Sequence, residues 1–190
     1  MKLKRIMPVL AAVLLTAITV SAGDDDVEKK KQATRKMSAD TLNDLYKLQP
    51  TAQASIQKAA GYAVFDNTGV NVLLLSTAHG SGIAVNNKTK QETFMKMASA
   101  GAGPGIGLKD YRVVFVFENG KALAQFLDSG WGGSAQADAA AKAGEKGGAY
   151  SGAVEVEPGV WVYQITKNGL ALQLTLQGTK YYKDDDLNKS

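Results

Sequence analysis

Hydrophobic and polar positions change period near Gly61. Before it, Met37, Leu42, Leu45, Tyr46 and Leu48 recur at helical spacing, with Asp40, Asn43, Asp44 and Lys47 off the stripe. The pattern predicts an amphipathic helix that Pro50 ends or kinks. A second short helix is expected from Thr51 through Ile56, Lys58 and Ala60, with Gly61 as its stop. Beyond Gly61 the texture is that of strands. Tyr62 to Phe65 is a short apolar run that the turn residues Asp66, Asn67, Thr68 and Gly69 are expected to end. Val70 to Leu75 is a second run. Gly82 to Val85 and Glu92 to Met97 flank the hairpin signal Asn86-Asn87-Lys88-Thr89. Val113 to Phe117 is a dense β-branched and aromatic run and reads as a strand. Lys121 to Asp128 is the one later helix expected, with Ala122, Phe126 and Leu123 inward. Ser134 to Ala143 alternates small and polar residues, so a strand is predicted there, followed by a loop over Gly144 to Gly152. Val160 to Ile165 forms a strand that turns at Lys167-Asn168-Gly169. Leu170, Leu172, Leu174 and Leu176 then alternate with polar or small residues. Tyr181 and Tyr182 close the domain, and Asp184 to Ser190 read as a polar tail.

Nineteen of the 20 glycines lie from Gly61 onward. Gly101, Gly103, Gly105 and Gly107 recur at period 2, so on a strand they leave one face bare for a close neighbour. The dinucleotide fingerprint fails in register from both Gly101 and Gly103, and no helix pattern follows it. The Walker pattern fails as well, because Lys109 does not follow glycine and no Ser or Thr follows it.

The chain start adds a targeting expectation. A basic Met1-Lys2-Leu3-Lys4-Arg5 precedes an apolar stretch from Ile6 to Val20, and Val20-Ser21-Ala22 fits signal-peptidase cleavage after Ala22. The apolar stretch is short against the about 20 residues of a membrane span. The expected organisation is a signal peptide over 1–22, a charged segment over 23–37, one domain over 38–183 and a polar tail over 184–190. The location expected is exported, periplasmic or secreted, with peripheral attachment to membrane. Lys2, Lys4 and Arg5 account for three of the 22 cations, leaving 19 against 18 acids in the mature protein. That near-neutral balance argues against nucleic acid as a partner. With no cysteine there is no disulfide, thiol nucleophile or thiolate metal site.

Candidate chemistry is thin. Asp24 to Asp26 lack EF-hand spacing. The one histidine, His79, sits near Ser76 and Ser81 but without the Gly-x-Ser-x-Gly elbow, and it is read as a turn or edge residue. Glu155 and Glu157 share a strand face beside Pro158-Gly159, as surface carboxylates do. No catalytic residue, metal or cofactor is assigned. What remains is Lys29, Lys30, Lys31, Arg35 and Lys36, which follow an acidic start in the sense a helix macrodipole favours. They form a solvated face or a contact for anionic headgroups.

The order of these features resembles the SYLF domain family. The match is carried by Ala59-Ala60-Gly61-Tyr62-Ala63-Val64-Phe65 after a helix, Gly80-Ser81-Gly82, and the alternating glycines from Gly103 to Gly107. Val113 to Phe117, Ala122 to Phe126, Gly130-Trp131 and Gly169-Leu170 leading to Leu176-Gln177-Gly178-Thr179-Lys180 complete it. The resemblance covers roughly Thr41 to Tyr182 and implies a non-enzymatic phospholipid-binding domain with a basic N-terminal segment. An exported member would meet neither actin nor phosphoinositides, so the partner expected is an anionic phospholipid surface. The expected fold is α+β, with N-terminal helices on a Gly-rich, mainly antiparallel curled sheet or partial barrel. The expected function is a phospholipid-binding module of the cell envelope, with Lys29, Lys30, Lys31, Arg35 and Lys36 on the headgroups. An envelope protein partner held at a sheet edge is the alternative, and a Ser/His hydrolase is a third.

Overall fold

In the computed structural model, residues 22–72, 75–102, 111–133, 150–171 and 178–189 are described. Helix α1 runs Ala22–Leu48 and α2 Thr51–Lys58, broken at Pro50 as the helical stripe predicts. Four long strands follow: β1 Gly61–Val72, β2 Leu75–Asn86, β3 Glu92–Ala102 and β4 Tyr111–Phe117. Then come α3 Gly120–Ser129, β5 Trp131–Gly132, β6 Val154–Glu157, β7 Val160–Thr166, β8 Gly169–Ala171 and β9 Thr179–Lys183. A short α4 over Asp185–Asn188 ends the described chain.

The strands make one sheet in the order β5-β9-β3-β2-β1-β4-β7-β6, with β8 paired to β7, and each pairing is antiparallel. The sheet curls into a half-barrel. Tyr181 on β9 and Phe115 on β4 are separated by β3, β2 and β1 in that order, yet their ring centroids are 4.9 Å apart. Only strong curvature brings such rings together across the concave side. The concave core holds Phe65, Phe115, Phe117, Phe126, Trp131 and Tyr181. Helix α3 plugs it with Leu123 and Phe126, and Asn119 caps that helix by accepting from the Ala122 amide at 3.0 Å.

The convex face carries a second core. Val64, Val114, Val116, Trp161 and Tyr163 pack there against Leu45 of α1 and Ile56 of α2. β4 is therefore apolar on both faces, with Val113, Phe115 and Phe117 in the concave core and Val114 and Val116 in the convex one. The buried side of α1 is more polar than the stripe suggests. Thr34, Ser38 and Thr41 lie under it with Leu45, and the two threonine hydroxyls donate back to the carbonyls of Lys30 and Met37 at 3.0 and 2.7 Å. Asn87 in the β2–β3 turn donates to the carbonyls of Ile56 and Ala59 at 2.6 and 2.9 Å, closing the end of α2.

Several expectations give way. Asp66 to Gly69 do not turn; β1 passes straight through them. Asn67 is buried toward the concave side, and Asp66 accepts from Ser81 across the β1–β2 pair. Tertiary pairing therefore overrides turn chemistry. His79 is at neither a turn nor an edge: it lies mid-strand in β2, paired with Thr68 on β1 and Ala98 on β3. The end of the chain is docked. Asp184 caps α4, Leu187 is buried against Ile83 and Phe94, and Asn188 donates to the Phe94 carbonyl at 2.7 Å. Gly101 is in β3 and Leu170 in β8. The signal segment up to Ser21, Gly103 to Gly107, the Ser134 to Ala143 strand and Leu172 to Leu176 fall outside the described residues.

Candidate functional site on the convex face

Helix α1 opens with Asp24 and Asp25 in its first turn, and its cations come after them. The five predicted contact residues divide by direction. At 3.6 residues per turn, Lys29 and Lys36 share the solvent side. Lys36 pairs with Asp40 at 2.6 Å and Lys29 with Asp26 at 3.9 Å, and both lysine side chains are 76% exposed. Lys31 and Arg35 flank the buried face and lean over Phe94 of β3, at 5.7 and 5.2 Å from its centroid. Arg35 Nε also donates to Glu92 at 2.8 Å and its terminal nitrogen to Glu28 at 3.3 Å. The bond to Glu92 raises the guanidinium pKa above its ordinary value. Arg35 therefore pins α1 to the sheet. At the far end of the helix, Asp44 does the same with Arg112 of β4 at 3.3 Å.

Lys30 points the other way, into a groove of about 680 Å³ between α1 and the sheet. The register builds its floor: Asp66 neighbours Ser81, Ser81 pairs with Lys96, and Lys96 pairs with Tyr182, one polar row across four strands. Two residues along β2, His79 lies on the same face. Val27, Ala33, Met37 and Leu187 add apolar lining. Asp66 Oδ1 accepts from the Ser81 amide at 2.8 Å and its hydroxyl at 3.2 Å. Lys96 is held by buried Asp184 at 2.9 Å and by Asp186 at 3.6 Å, and the Asp184 bond raises the lysine pKa.

A serine, a histidine and an aspartate thus meet here, but not in hydrolytic order. A Ser nucleophile must donate its proton to the imidazole while the acid orients that imidazole. Here the serine hydroxyl donates directly to the carboxylate. Among the described residues, no cluster of His, Asp and Glu is arranged to hold a metal ion, and no helix is long and apolar enough to cross a membrane. The sheet-edge alternative finds little purchase at β6, a four-residue strand with a register shift between Glu155 and Glu157 and Pro158 beyond. Glu157 is exposed and Glu155 half-buried, in line with surface placement, and both are hydrogen-bonded: Glu157 accepts from the Trp131 indole at 3.0 Å and Glu155 from the Gly159 amide at 3.2 Å.

Sequence reasoning found Lys30 but missed the groove around it. By composition alone Asp66 reads as part of a turn and Asp184 as part of a tail. The signal available was three polar residues, Asp66, Ser81 and Lys96, inside runs that otherwise alternate as strands.

Residues 98–190 match the Ysc84 family, described as Las17-binding protein actin regulator. Over 160 residues the chain is 37% identical to Beta cell expansion factor A of Aeromonas veronii, an alignment covering 83% of this chain. The chain spans 59% of the length of that relative.

Proposed function

Because this chain belongs to the SYLF (Ysc84) family, we propose that it is an exported, non-enzymatic phospholipid-binding module of the cell envelope, drawn to anionic headgroups by the cations of α1. Membership suggests a lipid-binding or actin-regulator-related role, and the family is one of binding domains rather than catalysts. The observation that carries the anionic reading is the placement of Lys29 and Lys36, about two turns apart on the outer side of α1, with Lys30 and Lys31 on its flanks. Their acidic partners are exposed as well. Exposed ion pairs contribute about 0–1 kcal/mol, so they exchange readily for lipid phosphates, each worth about 1 kcal/mol near an anionic surface. Arg35 has a different task in this reading, holding the helix on Glu92 and Phe94 so that Lys29 and Lys36 present outward.

The test is flotation of the mature protein with phosphatidylglycerol vesicles at low and high salt. Wild type is expected to float with anionic vesicles and to lose binding as salt screens the surface. Charge reversal at Lys29, Lys30, Lys31 and Lys36, with Arg35 kept, is expected to abolish it. Unchanged flotation of that variant overturns the assignment.

A further inference from the structure

The groove under α1 has a charge pattern that the lysines outside it do not share. Besides the Tyr182 phenol, six ionisable groups line it: Lys30, Asp66, His79, Lys96, Asp184 and Asp186. Lys96 is engaged by Asp184 and Asp186. Asp66 spends one oxygen on Ser81, and no described side chain donates to the other. Lys30 makes no ion pair among the described residues. The uncommitted charges are therefore one of each sign, an ammonium on the helix side and a carboxylate oxygen on the sheet side, with the His79 ring beside them. An imidazole supplies at least one N–H donor in either protonation state. A purely anionic ligand would meet Asp66 with nothing to offset it, and a purely cationic one would meet Lys30.

We infer that this groove is a headgroup site for a phosphoethanolamine-type lipid, its primary ammonium donated to Asp66 and its phosphate held by Lys30 and His79. The inference rests on the phospholipid-binding reading above and names the headgroup. The apolar lining from Val27, Ala33, Met37 and Leu187 lies where the glycerol and first methylenes would follow, and the volume is in the range of small-molecule sites. A primary amine is favoured over a quaternary one for a chemical reason. Trimethylammonium has no N–H to give a carboxylate, and a site for it is an aromatic cage. Tyr182 is the single aromatic in this lining.

His79 is the only histidine in the chain, so its ring resonances in the full-length protein report the groove alone. The probes are O-phosphoethanolamine, phosphocholine, inorganic phosphate, and dihexanoyl phosphatidylethanolamine and phosphatidylcholine below their micellar concentrations. Saturable His79 shifts are expected with the ethanolamine lipid at concentrations about tenfold or more below those for the choline lipid, the worth of one charge-assisted hydrogen bond. The free headgroup is expected to bind more weakly than the lipid. Asp66→Asn keeps an acceptor for Ser81 and is expected to erase the ethanolamine preference. Lys30→Ala, at an exposed helix position, is expected to weaken both phosphate-bearing lipids, and it serves as the test if the Asp66 variant fails to fold. Equal ethanolamine and choline binding, a preference that survives Asp66→Asn, or saturation by inorganic phosphate alone overturns the inference. Equal binding of the free headgroup and the lipid assigns the groove to the soluble compound and removes the lipid. Failure of anionic flotation with the ethanolamine preference intact would sink the surface reading and leave this one standing.

Discussion

Gly82 sits in β2 opposite Phe65, in extended backbone rather than the left-handed region, so it is there for space and not for conformation. A Cβ at this position would fall inside the van der Waals shell of the Phe65 ring and lie 2.7 Å from the Val64 carbonyl oxygen. The carbonyl belongs to the β1–β2 ladder and cannot retreat, so the ring must. Phe65 is fully buried and meets Phe115, Phe126 and Tyr181 at centroid distances of 6.0, 6.3 and 4.7 Å. Overpacking a filled core costs about 1–3 kcal/mol, and disturbing aromatic pairs adds about 0.5–1.5 kcal/mol each. Gly82→Ala is therefore expected to destabilise by about 3 kcal/mol or more, lowering Tm by roughly 6–12 °C for a chain of this length. Urea unfolding followed by far-UV dichroism measures it. Two companions make the result specific. Gly120→Ala, where an added Cβ meets nothing within 4 Å, is expected to stay within about 0.5 kcal/mol of wild type. Phe65→Leu combined with Gly82→Ala is expected to be more stable than the sum of the single changes allows, by about 1 kcal/mol or more. A Gly82→Ala protein as stable as the Gly120 control, or a double-mutant coupling near zero, refutes the packing argument.

Other outcomes follow from the same contacts. Arg35→Ala removes two exposed ion pairs and a ring contact, costing about 1 kcal/mol, and amide exchange is expected to speed up in the N-terminal half of α1 while β1 and β4 keep their protection. Burial pushes the Tyr163 phenol up to about 12. Its folded pKa lies above the unfolded value, so the stability it contributes is intact below pH 10 and drains away between about pH 10 and 12. Denaturation midpoints should fall over that window, and Tyr163→Phe should flatten the fall. Deleting residues 184–190 removes buried Leu187 and the Asp184 and Asn188 bonds to the Phe94 carbonyl, and an expected loss of about 2–4 kcal/mol is read by thermal unfolding.

Much of this fold was legible because its signals are local. The stripe from Met37 to Tyr46, the break at Pro50, the Asn86 to Thr89 hairpin and the apolar Val113–Phe117 strand each follow from period and turn chemistry, although Leu48 at the end of the stripe is exposed. What stayed hidden depends on neighbours distant in sequence. Asp66-Asn67-Thr68-Gly69 has turn composition, and only pairing to both β2 and β4 makes it strand. The principle that period-2 glycines open one face for a bulky neighbour holds in β2, where Gly82 makes room for Phe65. Gly103 to Gly107, which prompted it, fall outside the described residues. The groove was illegible for the same reason: Asp66, Ser81 and Lys96 come from three strands, and only the register puts them in one row.

The two indoles divide the molecule between them. Trp131 belongs to the concave core and bonds Glu157, while Trp161 belongs to the convex layer beneath the helices and bonds Glu118, each at 3.0 Å. With no third tryptophan in the chain, each single-tryptophan protein carries a fluorophore confined to one layer. Emission from a Trp131→Phe protein would follow the helical cover alone, and that of Trp161→Phe the barrel interior alone. Loosening of the helical cover and melting of the half-barrel become separate optical events.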